Sequence, residues 1–157
     1  MTENNDVLIL ENFIPYRLSV LSNTVSNSIA SLYAERFGLT IPAWRVMAVL
    51  GRFSGLSAAE AAARTEMDKV AVSRAVSSLL KSGFISRHFT SEDRRRSSLE
   101  LTAKGREIYQ KIVPLALSYE RQFIEALSPE AKAHLDELLN ELTDKAQSLA
   151  QSLGKLT

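Results

Sequence analysis

Residues 68–102 read DKVAVSRAVSSLLKSGFISRHFTSEDRRRSSLELT, and the spacing of the apolar residues changes partway along this stretch. Before Gly83, apolar residues recur at intervals of three and four, as they do on one face of a helix. After Gly83, the segments FISRHF and SLEL alternate as strands do, and a loop with three consecutive arginines joins them. The stretch therefore predicts a helix that is followed at once by a β-hairpin.

The predicted helix has two faces of different character. Val72, Val76 and Leu79 form an apolar stripe that should pack inward. The opposite stripe is short, polar or basic, and it contains Lys69, Val70, Ser73, Arg74, Ser77 and Lys81. Such a face suits the major groove of DNA, where an arginine can pair with guanine and an apolar side chain can touch a thymine methyl. An ordinary amphipathic helix with a solvated face is the alternative interpretation.

Two short helices are predicted upstream of this one. Thr40 precedes the first, which has Pro42 in its opening turn, and Ser57-x-x-Glu60 is a capping box for the second. Asp68 is a suitable cap for the helix that follows. Short helices with a tight connection and a following hairpin describe a winged helix-turn-helix.

Longer helices are predicted at both ends of the chain. Residues 14–38 are predicted to form one helix of about six turns, which has an apolar stripe along one face and ends at Gly38. Residues 103–127 form another, in which Pro114 should bend the helix or remove a hydrogen bond. Ser128 opens a last, leucine-rich helix. The predicted fold class is mainly α with a small β-hairpin wing (α+β), with residues 38–101 as the DNA-binding lobe and residues 7–37 and 102–153 as a helical dimerisation region within one compact chain.

Composition excludes several classes of protein. The 157 residues contain no cysteine and only two histidines, so neither a metal site nor a cofactor is expected. There is no Gly-rich phosphate loop, paired histidine or nucleophile elbow, so the chain is not expected to be an enzyme. It has no apolar run long enough to span a membrane and no secretory signal, and a cytoplasmic location is expected.

The basic residues are concentrated in the middle of the chain. Residues 69–106 hold nine Lys or Arg against three Asp or Glu, a net charge of +6, whereas residues 107–157 hold five against eight, a net of −3. This distribution indicates a local anionic partner, most simply double-stranded DNA. Arg94, Arg95 and Arg96 repel one another, and the negative potential of a minor groove would offset that repulsion. A solvated turn, with Asp93 paired to one arginine, is the alternative.

Residues 13–145 resemble the MarR family of winged-helix transcriptional regulators. The resemblance rests on LTIPAWRVMAVL, DKVAVSRAVSSLLKSGFISR and SEDRRRSSLELTAKGRE, the last of which matches a D-x-R wing followed by a strand and L-T-x-x-G. It implies a homodimer on a palindromic operator, in which the arginine matching Arg95 enters the minor groove and Asp93 steadies the turn. Arg94 and Arg96 depart from the pattern, so each of the three arginines is a candidate for insertion.

Many relatives in that family release DNA when they bind a small phenolic or aromatic carboxylate. By this resemblance Arg17, with Tyr16 and Trp44 as aromatic neighbours, is a candidate clamp for such an effector. A structural salt bridge from Arg17 to the dimer partner, with Trp44 as ordinary core, is favoured because one cation and one indole do not make a pocket. The alternatives to a ligand-released repressor are a constitutive or activating regulator without a ligand and a winged helix used for protein–protein contact.

Overall fold

The computed structural model describes residues 7–89 and 97–154. These residues form helices and one antiparallel pair of strands, which confirms the predicted fold class. After a short 3₁₀ helix at Leu10–Asn12, the elements are α1 (Ile14–Ser31), α2 (Ala34–Phe37), α3 (Ile41–Arg52), α4 (Ala58–Thr65), α5 (Lys69–Lys81), β1 (Ile85–Phe89), β2 (Ser97–Leu101), α6 (Ala103–Phe123) and α7 (Pro129–Leu153). The chain divides into two compact units, Met1–Ala116 and Leu117–Thr157.

Side-chain caps begin α3, α4 and α5, the three helices that come immediately before the hairpin. The Thr40 hydroxyl accepts a hydrogen bond from the Ala43 N–H at 3.3 Å, and the Asp68 carboxylate accepts one from the Ala71 N–H at 2.8 Å. Ser57 and Glu60 form the reciprocal capping box that the sequence predicts. Those hydrogen bonds from Ser57 hold the pKa of Glu60 below its usual value. The predicted starts of α3, α4 and α5 are therefore confirmed.

The prediction of one unbroken helix over residues 14–38 is wrong at Leu32 and Tyr33, which separate α1 from α2. Tyr33 has a φ of −131°, and its N–H bonds to the Ala30 carbonyl, three residues back. The departure places the ring in the core, where it is 1% exposed and lies 5.7 Å from the Trp44 ring. The free energy gained by burying a large aromatic side chain outweighs the loss of regular helical hydrogen bonding at these two residues. Gly38, at a φ of +65°, ends α2 as predicted.

The core of the first unit is formed by the apolar faces of its helices and by the hairpin. Val72, Val76 and Leu79 of α5 are each 1% exposed, which confirms the predicted inward stripe. They join residues of the other elements in one cluster, among them Val46, Met47, Leu50, Leu99 and Ile112. This cluster holds α5 against α3 and leaves its opposite face turned outward.

The hairpin has an extra backbone partner that the sequence does not predict. β1 and β2 pair with Ile85 opposite Leu101 and Phe89 opposite Ser97. In addition, the Leu99 N–H donates to the Leu56 carbonyl at 2.7 Å, so the segment before α4 forms an antiparallel bridge with β2. This bridge ties the wing to the helix-turn-helix that precedes it.

α6 begins against the end of α5. The Thr102 hydroxyl accepts a hydrogen bond from the Gly105 N–H at 3.0 Å, which confirms Thr102 as the cap. Gly105 lies so close to the Phe84 carbonyl that any side chain there would clash with backbone. The helix ends at Phe123 rather than at the predicted residue 127, and it contains Pro114, which donates no backbone hydrogen bond.

α7 is 25 residues long and buries none of them. Six of its leucines are between 38% and 66% exposed, namely Leu135, Leu138, Leu139, Leu142, Leu149 and Leu153. Within residues 7–89 and 97–154, no helix is both long and apolar enough to cross a membrane.

Candidate nucleic-acid interface

The outward face of α5 carries the side chains that the sequence predicts as DNA contacts. Lys69, Val70, Ser73, Arg74 and Ser77 are all exposed along one side of the helix. Val70 is 60% exposed, which is high for an aliphatic side chain on a helix whose other face is fully buried. The structure therefore brings these five residues together on one accessible surface, with Asp68 fixing where the helix begins.

A tight turn sets the position of α5 relative to α4. Only residues 66–68 separate the two helices, and Glu66 has the left-handed φ of +52°. A residue in this conformation reverses the chain direction after a helix, as glycine more often does. The turn and the shared core make α4 and α5 a helix-turn-helix, with the polar face of α5 free to enter a groove.

Arg87, which is not among the DNA contacts predicted from the sequence, extends this surface onto the hairpin. It lies two residues after Ile85 on β1, and therefore on the same face, and it is opposite Leu99 on β2; Ile85 and Leu99 are both buried. With Lys69 and Ser73 it lines a shallow cleft of about 270 Å³ between α4, α5 and β1. The period-two spacing from Ile85 is the signal in the sequence that would have placed Arg87 on the side of α5.

The predicted wing tip lies outside the described residues. This applies to Arg94, Arg95 and Arg96, and to Asp93 as their brace. The two strands that lead to the tip are described, and their register brings Phe89 and Ser97 opposite each other. The described part of the hairpin thus belongs to the same lobe as α5.

The other face of the hairpin holds Ser86, His88 and Glu100. The Ser86 hydroxyl lies 3.0 Å from the Nε2 atom of His88, and a Glu100 carboxylate oxygen lies 4.0 Å from the same nitrogen. A nucleophile–base–acid relay needs one partner on each ring nitrogen, so this group is no such relay. Among the described residues, no cluster of three or more His, Asp or Glu could hold a metal ion.

The three residues predicted as a ligand clamp lie apart within one chain. Tyr16 and Arg17 are exposed in the first turns of α1. Trp44 is partly buried, and its ring lies 5.7 Å from that of Tyr33 and 6.0 Å from that of Tyr109. Because Tyr33 follows the far end of α1, the helical rise puts Trp44 roughly 20 Å from Tyr16.

Trp44 instead belongs to an aromatic cluster against the core. Tyr33 is buried there, and this burial raises the pKa of its phenol, an effect that the nearby Arg45 guanidinium partly offsets. The phenol is therefore neutral at physiological pH. A clamp that used Trp44 together with Arg17 and Tyr16 would need those two residues from a second copy of the chain.

Comparisons with known proteins agree with this geometry. A model of the MarR family matches residues 37–96. The regulator BilQ of Clostridium symbiosum, described as an HTH-type transcriptional regulator, is 30% identical over 108 residues, which cover 69% of this chain and 75% of BilQ. The transcriptional repressor YetL of Bacillus subtilis is 27% identical over 144 residues, or 90% of this chain and 84% of YetL.

A solved structure is similar over almost the whole chain. The MarR/EmrR family regulator from Acinetobacter sp. ADP1 superposes with a TM-score of 0.82 at 28% identity, covering 90% of this chain and 99% of that one. The helix-turn-helix, the hairpin and these relatives lead to one conclusion: the chain belongs to the MarR family of DNA-binding, winged-helix transcriptional regulators.

Proposed function

We propose that the protein is a homodimeric repressor that binds a palindromic operator and is released by a small aromatic carboxylate or phenol. The observation that carries the DNA-reading part is the outward face of α5, where Lys69, Val70, Ser73, Arg74 and Ser77 are exposed. Short polar groups and cations on a helix with a fully buried opposite face are what major-groove recognition requires. In this proposal residues 38–101 form the DNA-binding lobe.

The helices at the ends of the chain support the dimer. Neither α1 nor α7 buries a single residue. Apolar side chains along both are exposed, including Leu18 and Leu21 of α1 at 43% and 50%. Soluble chains rarely leave so much apolar surface in water. A second copy would cover it through residues 7–37 and 102–153, and two-fold symmetry would match a palindrome.

The wing completes the proposed contact with DNA. Arg94, Arg95 and Arg96 are assigned to the minor groove and its phosphates, and Asp93 to bracing the turn. The net charge of +6 over residues 69–106 supports this assignment, because the α5 face and the wing fall within that segment. The same surface argues against a protein–protein module, which would not need consecutive cations at the tip of its hairpin.

Repression and release are the finer parts of the proposal. Repression is supported by YetL, which is named a repressor and aligns with 90% of this chain. For release, Arg17 and Tyr16 of one copy would meet Trp44 of the other at the dimer interface. An arginine can bind a carboxylate through two hydrogen bonds, with aromatic rings beside it for an aryl group. A regulator that needs no ligand, whether constitutive or activating, is the second candidate.

The substitution Arg74→Ala tests the reading helix. It is expected to cost about 1–3 kcal/mol of binding free energy per half-site and to relax the base preference at one position of each half-site. The operator would be obtained by in vitro selection, and affinities measured by fluorescence anisotropy on the operator and its single-base variants. Arg121→Ala removes an exposed arginine of the second unit and should leave both quantities unchanged. Unaltered affinity in the Arg74 variant would remove α5 from the interface.

Release by an aromatic acid predicts a change in thermal stability. A ligand that binds only the folded dimer stabilises it by about 2.7 kcal/mol at one hundred times its Kd, and the melting temperature rises as a consequence. Salicylate and benzoate analogues would be screened against the wild type and against Arg17→Ala, which should lose the shift but keep its DNA affinity. Loss of dimerisation in Arg17→Ala would instead identify the arginine as a structural salt bridge. A wild type that responds to none of the acids would favour the constitutive regulator.

A further inference from the structure

We propose that Phe89 is a DNA-contacting residue, which packs its ring on the deoxyribose groups along the edge of the minor groove. This inference rests on the proposed contacts of α5 and the wing. Phe89 is the last residue of β1 and is 61% exposed. The ring is exposed to solvent and is not part of the hydrophobic core. A binding partner outside the chain would account for its position.

The register of the hairpin fixes the side on which Phe89 lies. Side chains alternate along a strand, so Phe89 shares a face with Arg87 and Ile85. Ser86 and His88 share the opposite face with Glu100, as their mutual contacts show. The face of Phe89 is the one that begins in the core at Ile85 and continues past Lys69 and Ser73 of α5 at Arg87. Phe89 therefore extends the α5 surface to the end of β1.

The position along the strand identifies the part of DNA that it would meet. Phe89 lies two residues, or roughly 7 Å, beyond Arg87 and immediately before residues 90–96. In the proposed complex, with α5 in the major groove and the wing in the adjacent minor groove, the DNA backbone between the two grooves would pass this part of the hairpin. What that backbone presents there is phosphates, which suit Arg87, and the C–H faces of sugars, which suit an aromatic ring.

The distribution of exposed apolar side chains supports the assignment independently. Among the described residues of the stretch 38–101, Val70 and Phe89 are the exposed large hydrophobics. The other exposed large hydrophobics lie at positions 7–21 and 115–153, in the segments assigned to the dimer. Val70 stands on the α5 face proposed to read bases. Val70 and Phe89, the two exposed large hydrophobic residues of the lobe, thus both lie on the surface that carries Lys69 and Arg87.

Binding to the selected operator would be measured with the full-length protein over a range of KCl concentrations. Phe89→Ala is expected to weaken binding about ten- to a hundred-fold, because apolar area covered in both half-sites is lost. The slope of log Kd against log salt should not change, since no phosphate contact is removed. Phe89→Leu should keep most of the affinity. Arg87→Ala should lower the slope by about one unit per half-site.

His88→Ala is the matched control, because it shortens the neighbouring side chain on the opposite face of β1. It should bind like the wild type, and every variant should keep the wild-type melting temperature and dimer mass. The inference is overturned if Phe89→Ala binds as the wild type does, or if it loses stability or dimerisation, which would mean that protein covers the ring. A wild type that selects no DNA would overturn the proposed function as well, whereas a tight wild type with an inert Phe89→Ala overturns this inference alone.

Discussion

Replacing Arg94, Arg95 and Arg96 together by alanine is expected to weaken binding to every DNA sequence by about 100- to 1,000-fold near physiological salt. A dimer has two wings, so six cations are lost at once. Each phosphate contact that disappears no longer releases a counterion, and the salt dependence of log Kd should fall by roughly 2 to 5 units. Base preference should change much less than affinity, because contacts with phosphates carry no sequence information.

Anisotropy titrations at several salt concentrations would measure both quantities. The triple variant Arg121→Ala, Lys132→Ala, Lys145→Ala is the matched control, since it removes the same charge from the second unit. It should change the affinity for DNA only modestly, through the long-range electrostatic field of the protein. If the wing variant bound its operator with unchanged affinity and slope, the wing would have no part in DNA binding. Single variants then identify the inserting residue, and the D-x-R resemblance predicts the largest loss at Arg95.

The double substitution Leu138→Glu, Leu142→Glu in α7 is expected to abolish the dimer at micromolar concentration. Both leucines are nearly half exposed in one chain, at 41% and 48%, on a helix that buries nothing. Burying the exposed area that remains on each leucine contributes about 1 kcal/mol to the free energy of dimerisation, and two-fold symmetry makes four such sites. The dimer should therefore weaken by at least about 4 kcal/mol, roughly a thousand-fold in dissociation constant, and buried carboxylates would add to this loss.

The control for this substitution introduces the same residue type, glutamate, at two positions of the same helix. Asn140→Glu with Gln147→Glu places two glutamates on the opposite side of α7, and this variant should remain dimeric. Sedimentation equilibrium would give both dissociation constants, and circular dichroism would report whether the helices persist. A dimeric Leu138/Leu142 variant would exclude this stripe from the interface. Loss of dimer in both variants would indicate damage to the helix itself.

Local signals predicted the helix starts well, because a cap depends on atoms within about four residues of each other. Asp68 illustrates this, since its carboxylate needs only the N–H of Ala71, three positions later. The division of α5 into a buried and an exposed face was predictable for a related reason. Val72, Val76 and Leu79 share one side by helical periodicity alone, whatever they pack against.

Features that depend on distant partners were not predictable in this way. Nothing near Tyr33 in the sequence shows that its ring would leave the helix to meet Trp44, eleven residues away. The bridge from Leu56 to Leu99 joins segments separated by two helices and a strand. The clamp of Tyr16, Arg17 and Trp44 is a prediction from the family resemblance and from residue types, and the length of α1 separates its members within one chain.

The amino-acid sequence by itself determined the order of the helices and hairpin, their caps, and which side of α5 faces outward, because these follow from short-range hydrogen bonds and from the periods of helix and strand. Only the tertiary structure decided where α1 breaks, that Arg87 borders the α5 surface, and that Phe89 continues it in the open. Each of these depends on which distant side chain occupies the neighbouring space, and packing between elements is a property of the folded chain that no local pattern contains.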